Sequence, residues 1–552
     1  MKNWRINIVF LAFLIISATI IGRLVFIQIL QGGFYRALSQ GLHSSFNENQ
    51  GDRGKIFLEG GESLAINIDW PLVFAHPKEI ENTEETAQIL SQILNLEENF
   101  ILEKLDKDNS YSLLKRKLNE EEFESLKNLN LKGIYLKKEI GRYYPKELLA
   151  SQITGFLGAE GKGQYGLEQS YNNVLEAKKS LIDEEKGSDL TLTINYNVQF
   201  QAEKILQKAK ENFNIEGGQI IVIEPDSGKI LAMADLFNFN PNHYEKYAKE
   251  GNLEIFKNRA TQDLFEPGSV FKAITMAAAL EENKISPQTT YIDEGFVKID
   301  GYPTPIYNYG QKVHGKQTMT NVLEKSINTG AVFVQKELGQ NLFLKYAEKF
   351  GFFEPTGIDV QETYSLNEEL KKGREINFAT ASFGQGIQMT PIQLVRAYCV
   401  IANGGKLIKP YLVEKITNPD DIVKDYNLKS DIETEEEKII SSKMAYQLTA
   451  MLVSVVENGF AKQAQVPGYF IAGKTGTAQV SFGALGIEKE GYSEKTIQTF
   501  IGFAPAFDPQ FLILVKLDNP ETKTAEYSTV PIFKELAEYI IHQEQIPPDY
   551  EE

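Results

Sequence analysis

Phe265-Glu-Pro-Gly-Ser269-Val-Phe-Lys272-Ala-Ile-Thr-Met-Ala-Ala-Ala-Leu280 is the stretch on which the reading of this chain turns. Pro267-Gly268 is turn chemistry, and the small and apolar run behind it predicts a helix opened by that turn. A serine in the first turn of such a helix lies beside backbone N–H groups without intrahelical acceptors, at the positive end of the helix dipole. Lys272 stands at i+3, so its side chain meets Ser269 on one face. A buried, partly desolvated lysine can lose its charge and take the proton of a serine. A serine cap beside an exposed lysine has the same spelling, so the pair needs company before it means chemistry.

Two other pieces supply it. Ser326-Ile327-Asn328, within Glu324-Lys-Ser-Ile-Asn-Thr-Gly330, reads as a loop between helices that presents a hydroxyl and an amide in one direction. Gly473-Lys474-Thr475-Gly476-Thr477-Ala478 follows Tyr469-Phe-Ile-Ala472 and reads as a strand whose glycines let a substrate backbone approach. Ser-x-x-Lys, then Ser-x-Asn 57 residues on (269 to 326), then Lys-Thr-Gly 205 residues on (269 to 474), is a specific order although each piece alone is weak. Gly468 to Thr475 also spells a phosphate loop. That loop must open a helix, whereas here a bulky, strand-like spacer runs on into Gly-Thr-Ala-Gln-Val480. Glu362-Thr-Tyr-Ser-Leu366-Asn367 is one residue too long for the deacylating glutamate motif of class A β-lactamases. On a helix the extra residue rotates Glu362 away from the serine, so the glutamate reads as structural.

The chain has 552 residues, and 57 basic against 75 acidic side chains give a formal net charge of −18, a poor match to nucleic acid. Hydrophobic residues at 42% and charged residues at 24% are globular values and exclude a multi-span membrane chain. The single cysteine, Cys399, excludes an intramolecular disulfide, and five scattered histidines without an HExxH pair speak against zinc. Ile6 to Ile21 carries no charge, and apolar character resumes from Leu24 to Leu30. As a helix, residues 6–30 reach roughly 37 Å, enough for a hydrocarbon core of ~30 Å, with Arg23 snorkelling at the far interface. Lys2 and Arg5 keep the N-terminal end cytoplasmic. A cleaved signal peptide fits less well, because its apolar run is shorter and Ala37-Leu38-Ser39 lies far from it. The expectation is a single-span anchor of the cell membrane with the rest of the chain outside.

Residues 31–185 are charge-rich and mixed, with helical stretches at 84–96 and 119–129. From about 190 the texture changes. Leu190–Ile194 reads as a strand leading into a helix near 197–213, and Gly218–Ile223 and Lys229–Ala234 read as a hairpin across Glu224-Pro-Asp-Ser-Gly228. Strands at Thr499–Gly502 and Phe511–Leu517 and a last helix near 532–542 complete a pattern of strand pair, helices, strands. An α+β fold follows, its mostly antiparallel sheet covered by helices on both faces. The expected divisions are a tail at 1–5, the anchor at 6–30, an elongated N-terminal domain at 31–185 and the catalytic domain at 186–552.

The three motifs are those of penicillin-binding proteins and class A β-lactamases. Over nearly its whole length the sequence resembles a class B penicillin-binding protein, a peptidoglycan D,D-transpeptidase of the division type. Asn258-Arg-Ala260, Glu266-Pro-Gly268, Phe383-Gly-Gln-Gly386 with Met389-Thr-Pro-Ile-Gln393, and Ala402-Asn-Gly-Gly405 carry that resemblance. So do Arg53-Gly54-x-Ile56 with Gly61 and Leu64-Ala65, and Gly161-x-Gly163-x-x-Gly166-Leu-Glu168, which are similar to the family's pedestal (dimerisation) domain. The chain departs at Leu58-Glu59, where the family has Asp-Arg. The resemblance implies a transpeptidase domain on a pedestal, with no cofactor and no metal. Ser269 is then the nucleophile toward a D-Ala-D-Ala stem peptide or a β-lactam, Lys272 its base, Ser326 a proton relay, and Asn328 the holder of the substrate amide and of Lys272. Lys474, with Thr475, Gly476 and Thr477, binds the terminal carboxylate, and the N–H groups of Ser269 and Thr477 form the oxyanion hole. It also implies a separate multi-span glycan polymerase of the shape, elongation, division and sporulation type as partner. The elongation branch, a β-lactam sensor and a β-lactamase are the alternatives.

Overall fold

The computed structural model describes residues 52–179, 184–418, 422–425, 438–489 and 491–550, with residues 10, 11, 13, 14 and 16–20 of the N-terminal segment. Those few N-terminal residues are helical, and Phe10, Leu11, Phe13, Leu14, Ile16 and Ile20 are all more than half exposed. Among the described residues no helix is long and apolar enough to cross a membrane. The tail at 1–5 and most of the anchor at 6–30 lie outside the described residues.

The chain forms two compact units that interleave along the sequence. The smaller is built on Ile66–Tyr143, and the larger takes Gly54–Ala65, Tyr144–Glu176 and Lys186–Glu552. In the smaller unit the strand residues Ile66–Ala75 pair antiparallel with Ile134–Tyr143, and Val73–Ala75 pair with Ser112–Lys115. Helices Thr83–Leu94, Glu98–Lys104 and Glu120–Leu129 bury Ala87, Leu90, Leu94, Ile101 and Leu126 against Val73 and Ala75. Asn82 caps the first of them and Asn119 closes a capping box with Glu122. Asn95 and Asn130, both left-handed, stop the first and the third, so the helices end within two residues of the stretches expected at 84–96 and 119–129.

The larger unit is organised by a five-stranded antiparallel sheet. Its strands are β1 (Gly217–Ile223), β2 (Ile230–Asp235), β3 (Ala472–Ser481), β4 (Tyr492–Ala504) and β5 (Phe511–Asp518), in the spatial order β2-β1-β5-β4-β3. The hairpin between β1 and β2 is the expected one, closed by a turn in which Gly228 N donates to Glu224 O. Every residue of β1 is buried, as a strand covered on both faces must be. Helices α1 (Tyr196–Phe213) and α6 (Thr529–Gln543) pack together on the sheet. Helices α4 (Pro391–Ala402) and α5 (Ser442–Asn458) also cover it and pack on each other. In α4 all residues but the last are buried, so it is a core helix with no solvent stripe. Its start explains the Met389-Thr-Pro-Ile-Gln393 motif: Thr390 and Gln393 form a capping box and Pro391 occupies the first helical position.

Helix α2 (Lys272–Glu281), entered through a 3₁₀ turn at Gly268–Phe271, packs against α3 (Asn328–Leu338) and α5, with nine of its ten residues buried. Elsewhere in this unit Asp189–Leu192 pairs parallel with Ile56–Phe57 and antiparallel with Val413–Thr417. Beside it Glu59 holds Lys229 at 2.5 Å and receives the amide of Asn195, so a charge contact exists at the Leu58-Glu59 departure. Asp359 receives Tyr171 Oη at 2.9 Å and the backbone N–H groups of Leu412 and Val413. Residues 361–367 are not helical, contrary to the geometry used to set Glu362 aside. Glu362 is nonetheless consumed structurally: its carboxylate accepts from Thr356 N, Thr356 Oγ1 and Gly357 N at 2.7 to 2.9 Å.

Candidate active site

The three motifs meet at two lysine amines. Lys272 Nζ lies 3.0 Å from Ser269 Oγ, donates to Ser326 O at 2.6 Å and Asn328 Oδ1 at 2.8 Å, and lies 3.3 Å from Ser326 Oγ. Lys474 Nζ lies 3.0 Å from both Ser326 Oγ and Thr475 O. Ser326 Oγ is therefore shared between the two amines. Lys272 is 1% exposed and Lys474 fully buried, and among the described residues no carboxylate is bonded to either amine. Burial pushes Lys272 well below the ordinary lysine range, and the charge of Lys474 pushes it further; burial brings Lys474 down to about 7. A neutral amine has two N–H bonds and one lone pair. In its neutral form Lys272 can give its two N–H bonds to Ser326 O and Asn328 Oδ1, which leaves the lone pair for the hydroxyl of Ser269.

The scaffold fixes each group. Gly268 N donates to Gly384 O at 3.0 Å, and Phe265 and Met389 exchange backbone hydrogen bonds, so Phe383-Gly-Gln-Gly386 forms the floor of the nucleophile turn. Gly384 has φ +81°, and a Cβ there would stand 2.1 Å from Gly268 O, so only glycine fits. Tyr398 Oη donates to Val270 O at 2.6 Å and fastens the turn to α4. Ser326 links helix Met319–Glu324 to α3 in a left-handed conformation, φ +53°, which costs a non-glycine residue about 1–3 kcal/mol. That conformation aims its carbonyl at Lys272. Asn328 is not in the loop as expected but is the first residue of α3, and its Nδ2 donates to Tyr307 O at 3.0 Å.

Lys474, Thr475, Gly476 and Thr477 lie on β3, paired with Ile501, Phe500, Thr499 and Gln498 of β4. The strand reading of the Lys-Thr-Gly motif holds, and a phosphate loop is excluded because the motif lies within a strand that runs on to Ser481 and opens no helix. Among the described residues β3 is an edge of the sheet with a strand partner on one side only, the arrangement on which an extended peptide can be laid. A Cβ on Gly476 would stand 2.9 Å from Pro267 O, so this glycine lets the strand close on the nucleophile turn. The structure thus brings Ser269, Lys272, Ser326, Asn328 and Lys474 into one hydrogen-bonded cluster, with Thr475, Gly476 and Thr477 on its bordering strand. Sequence reasoning missed the residues behind Asn328, namely Tyr307, Asn308, Thr329 and Asp293. An Asp-x-Gly turn at 293–295 was the one local sign of them.

An antiparallel sheet clasped by helices, with a serine beside a buried lysine at the head of a buried helix, defines a serine acyltransferase of the penicillin-binding type. Residues 218–538 match the penicillin binding protein transpeptidase domain, and residues 48–199 match the penicillin-binding protein dimerisation domain. The chain belongs to the class B penicillin-binding protein family. It is similar to stage V sporulation protein D of Bacillus subtilis, with 32% identity over 543 residues, 94% of this chain and 82% of that protein. It is also similar to the peptidoglycan D,D-transpeptidase FtsI homolog of Mesostigma viride, with 29% identity over 99% of this chain and 96% of that protein. The fold matches the crystal structure of penicillin binding protein 3 of Mycobacterium tuberculosis complexed with aztreonam, with a TM-score of 0.71 at 24% identity, covering 91% of this chain and 98% of that one.

Proposed function

We propose that this chain is a peptidoglycan D,D-transpeptidase working through an acyl-enzyme on Ser269. The observation that carries the chemistry is the buried amine of Lys272, held by Ser326 O and Asn328 Oδ1 with Ser269 Oγ 3.0 Å away. Ser269 Oγ attacks the carbonyl between the two terminal D-Ala residues of a donor stem peptide, and its proton passes to Lys272. The N–H groups of Ser269 and Thr477 take the oxyanion, and the Lys474 ammonium with Thr475 and Thr477 takes the terminal carboxylate. Collapse breaks the C–N bond, and the proton on Lys272 travels through Ser326 to the departing D-Ala amine. The amine of an acceptor stem then attacks the ester, gives up its proton along the same path, and returns Ser269 as a hydroxyl. A β-lactam enters by the same attack, and its opened ring stays on the serine.

A transpeptidase must hold its ester until an amine arrives, so it should not aim a water at the carbonyl. Glu362 is tied to Thr356 and Gly357, which supports that reading over a hydrolase. General-base help is worth ~10²–10⁴-fold, so its absence leaves hydrolysis slow. The mass of the penicilloyl-enzyme should decay slowly once free drug is removed, and at nearly equal rates in wild type and Glu362→Gln. Rapid wild-type release that slows about a hundredfold in the glutamine variant would make the chain a hydrolase.

The apolar segment at 6–30, with Lys2 and Arg5 before it, supports a single-span anchor that leaves the catalytic unit outside the cell membrane. Such a chain works beside a multi-span glycan polymerase, and Lys474-Thr-Gly with Phe383-Gly-Gln-Gly leans to the septal branch. A membrane-impermeant fluorescent β-lactam should mark the septum of intact cells in a Ser269-dependent manner. Signal only after lysis contradicts the topology, and signal confined to the side wall contradicts the branch.

A further inference from the structure

Behind Asn328 lies a carboxylate to which no step above assigns a role. Asp293 is 1% exposed at the end of strand Thr290–Asp293. Its Oδ1 accepts from Gly295 N at 2.9 Å, Asn308 Nδ2 at 2.9 Å and Thr329 Oγ1 at 2.6 Å; its Oδ2 accepts from His314 N and Asn308 Nδ2, each at 2.9 Å. Burial raises its pKa, but these donors outweigh burial and hold the group below the usual aspartate value. Asn308 and Thr329, which Asp293 grips, also bond each other, Thr329 N donating to Asn308 Oδ1 at 3.1 Å. The residues just before them are joined too, Asn328 Nδ2 donating to Tyr307 O at 3.0 Å. Two adjacent residues of α3 are therefore held by two adjacent residues of the 306–308 segment, with Asp293 as the common anchor.

The grip has a chemical consequence. An asparagine amide can present either its oxygen or its NH₂, and here Nδ2 is committed to Tyr307 O, so Oδ1 faces Lys272 Nζ at 2.8 Å. We infer that Asp293 is a positioning residue for the acyl transfer: through Asn308 and Thr329 it fixes the amide of Asn328, and through that amide it sets the place of the Lys272 amine against Ser269. This inference rests on the reading of Lys272 as the base. It makes a distinctive statement about pH. The Asn328 carbonyl favours the ammonium form of Lys272, so an amide released from its anchor lets the Lys272 pKa fall further while the amine drifts from Ser269. Acylation becomes slower at its plateau, and its acid limb moves to lower pH. A loss of folded protein lowers the number of sites and moves no midpoint. Lys474 is the charged neighbour of Lys272, and Tyr291, bonded to Thr329 Oγ1 at 3.2 Å, is a titratable neighbour of Asp293; Asp293→Asn leaves both contacts in place, whereas Thr329→Val also removes the Tyr291 bond.

The test is the acylation rate of the full chain by a fluorescent penicillin between about pH 5 and about pH 10, with the number of sites titrated in parallel. Asp293→Asn keeps the shape but turns an NH₂ toward the donors of Asn308 or His314. It should bind one penicillin per chain, acylate about tenfold or more slowly at the plateau, and show an acid midpoint about half a unit or more lower. Thr329→Val keeps the backbone N–H and removes the hydroxyl bond, and should move plateau and midpoint the same way. Thr329→Ser should behave as wild type. Should Asp293→Asn lose its sites, Thr329→Val decides. An unmoved midpoint in the folded variants overturns the inference, whether the plateau falls or not. Acylation of Lys272→Met within about threefold of wild type overturns the base reading itself, and the inference with it.

Discussion

Ser269→Ala should abolish covalent labelling by a fluorescent penicillin while leaving the melting temperature nearly unchanged. The hydroxyl is the atom that becomes the ester, and no other side chain of the cluster can replace it. Ser326 Oγ is the nearest alternative, but it is shared by Lys272 at 3.3 Å and Lys474 at 3.0 Å, and its residue is held in a left-handed conformation between two helices. The structural cost is small, because the turn at Gly268–Phe271 is fixed by the backbone bond to Gly384 and by Tyr398, neither of which uses the serine side chain. Alanine also has the best helix propensity. Wild-type labelling of the alanine variant would remove Ser269 from the mechanism.

Lys272→Met should slow acylation by ~10²–10⁴-fold, about 3–5 kcal/mol of barrier, because the general base is gone while Ser269 and the floor of its turn remain. Its effect on stability is expected to run the other way with pH. A lysine whose folded pKa is depressed must shed its proton on folding, so the unfolded chain holds more protons at every pH between the lowered value and ~10.4. Wild-type stability therefore rises with pH across that window, and the penalty is largest at its acid end. Methionine removes the Lys272 share of that slope, leaving the share of Lys474. Chemical denaturation at several pH values reads the slope, and stopped-flow labelling reads the rate. A variant that acylates within about threefold of wild type would contradict the base assignment.

Much of the sheet was legible because β1, β2 and β5 are short apolar runs broken by turn residues, whereas β4, expected at Thr499–Gly502, extends from Tyr492 to Ala504. Glu224-Pro-Asp-Ser-Gly228 between two such runs leaves a hairpin as the simplest reading, and it is the hairpin found. The Lys-Thr-Gly strand was legible for a similar reason: its bulky, apolar approach at 469–472 is wrong for a phosphate loop. The cluster of Ser269, Lys272, Ser326, Asn328 and Lys474 was legible through the order of three motifs, each of which also spells an ordinary cap or turn. What escaped depends on pairings across long stretches of chain. Glu59 meets Lys229 170 residues away, and Asp293 meets Thr329 36 residues away, with no periodicity to announce either. The interleaving of the two units escaped for the same reason, since Gly54–Ala65 and Tyr144–Glu176 join the larger unit through backbone pairing and burial that composition does not mark. A helix at Glu362 does not form, and what holds the glutamate, its three bonds to Thr356 and Gly357, arises only in the folded chain.

The central claim is that Ser269 carries an acyl group from a D-Ala-D-Ala peptide to an amine. The most direct measurement is mass spectrometry of the reaction with a synthetic stem peptide ending in D-Ala-D-Ala and a second stem bearing a free amine. The account predicts a transient adduct on the proteolytic fragment that contains Ser269, lighter than the donor by one D-Ala, and a cross-linked dimer that accounts for most of the D-Ala released. An adduct on another residue, or D-Ala release matched by hydrolysed monomer with the amine left untouched, would contradict it.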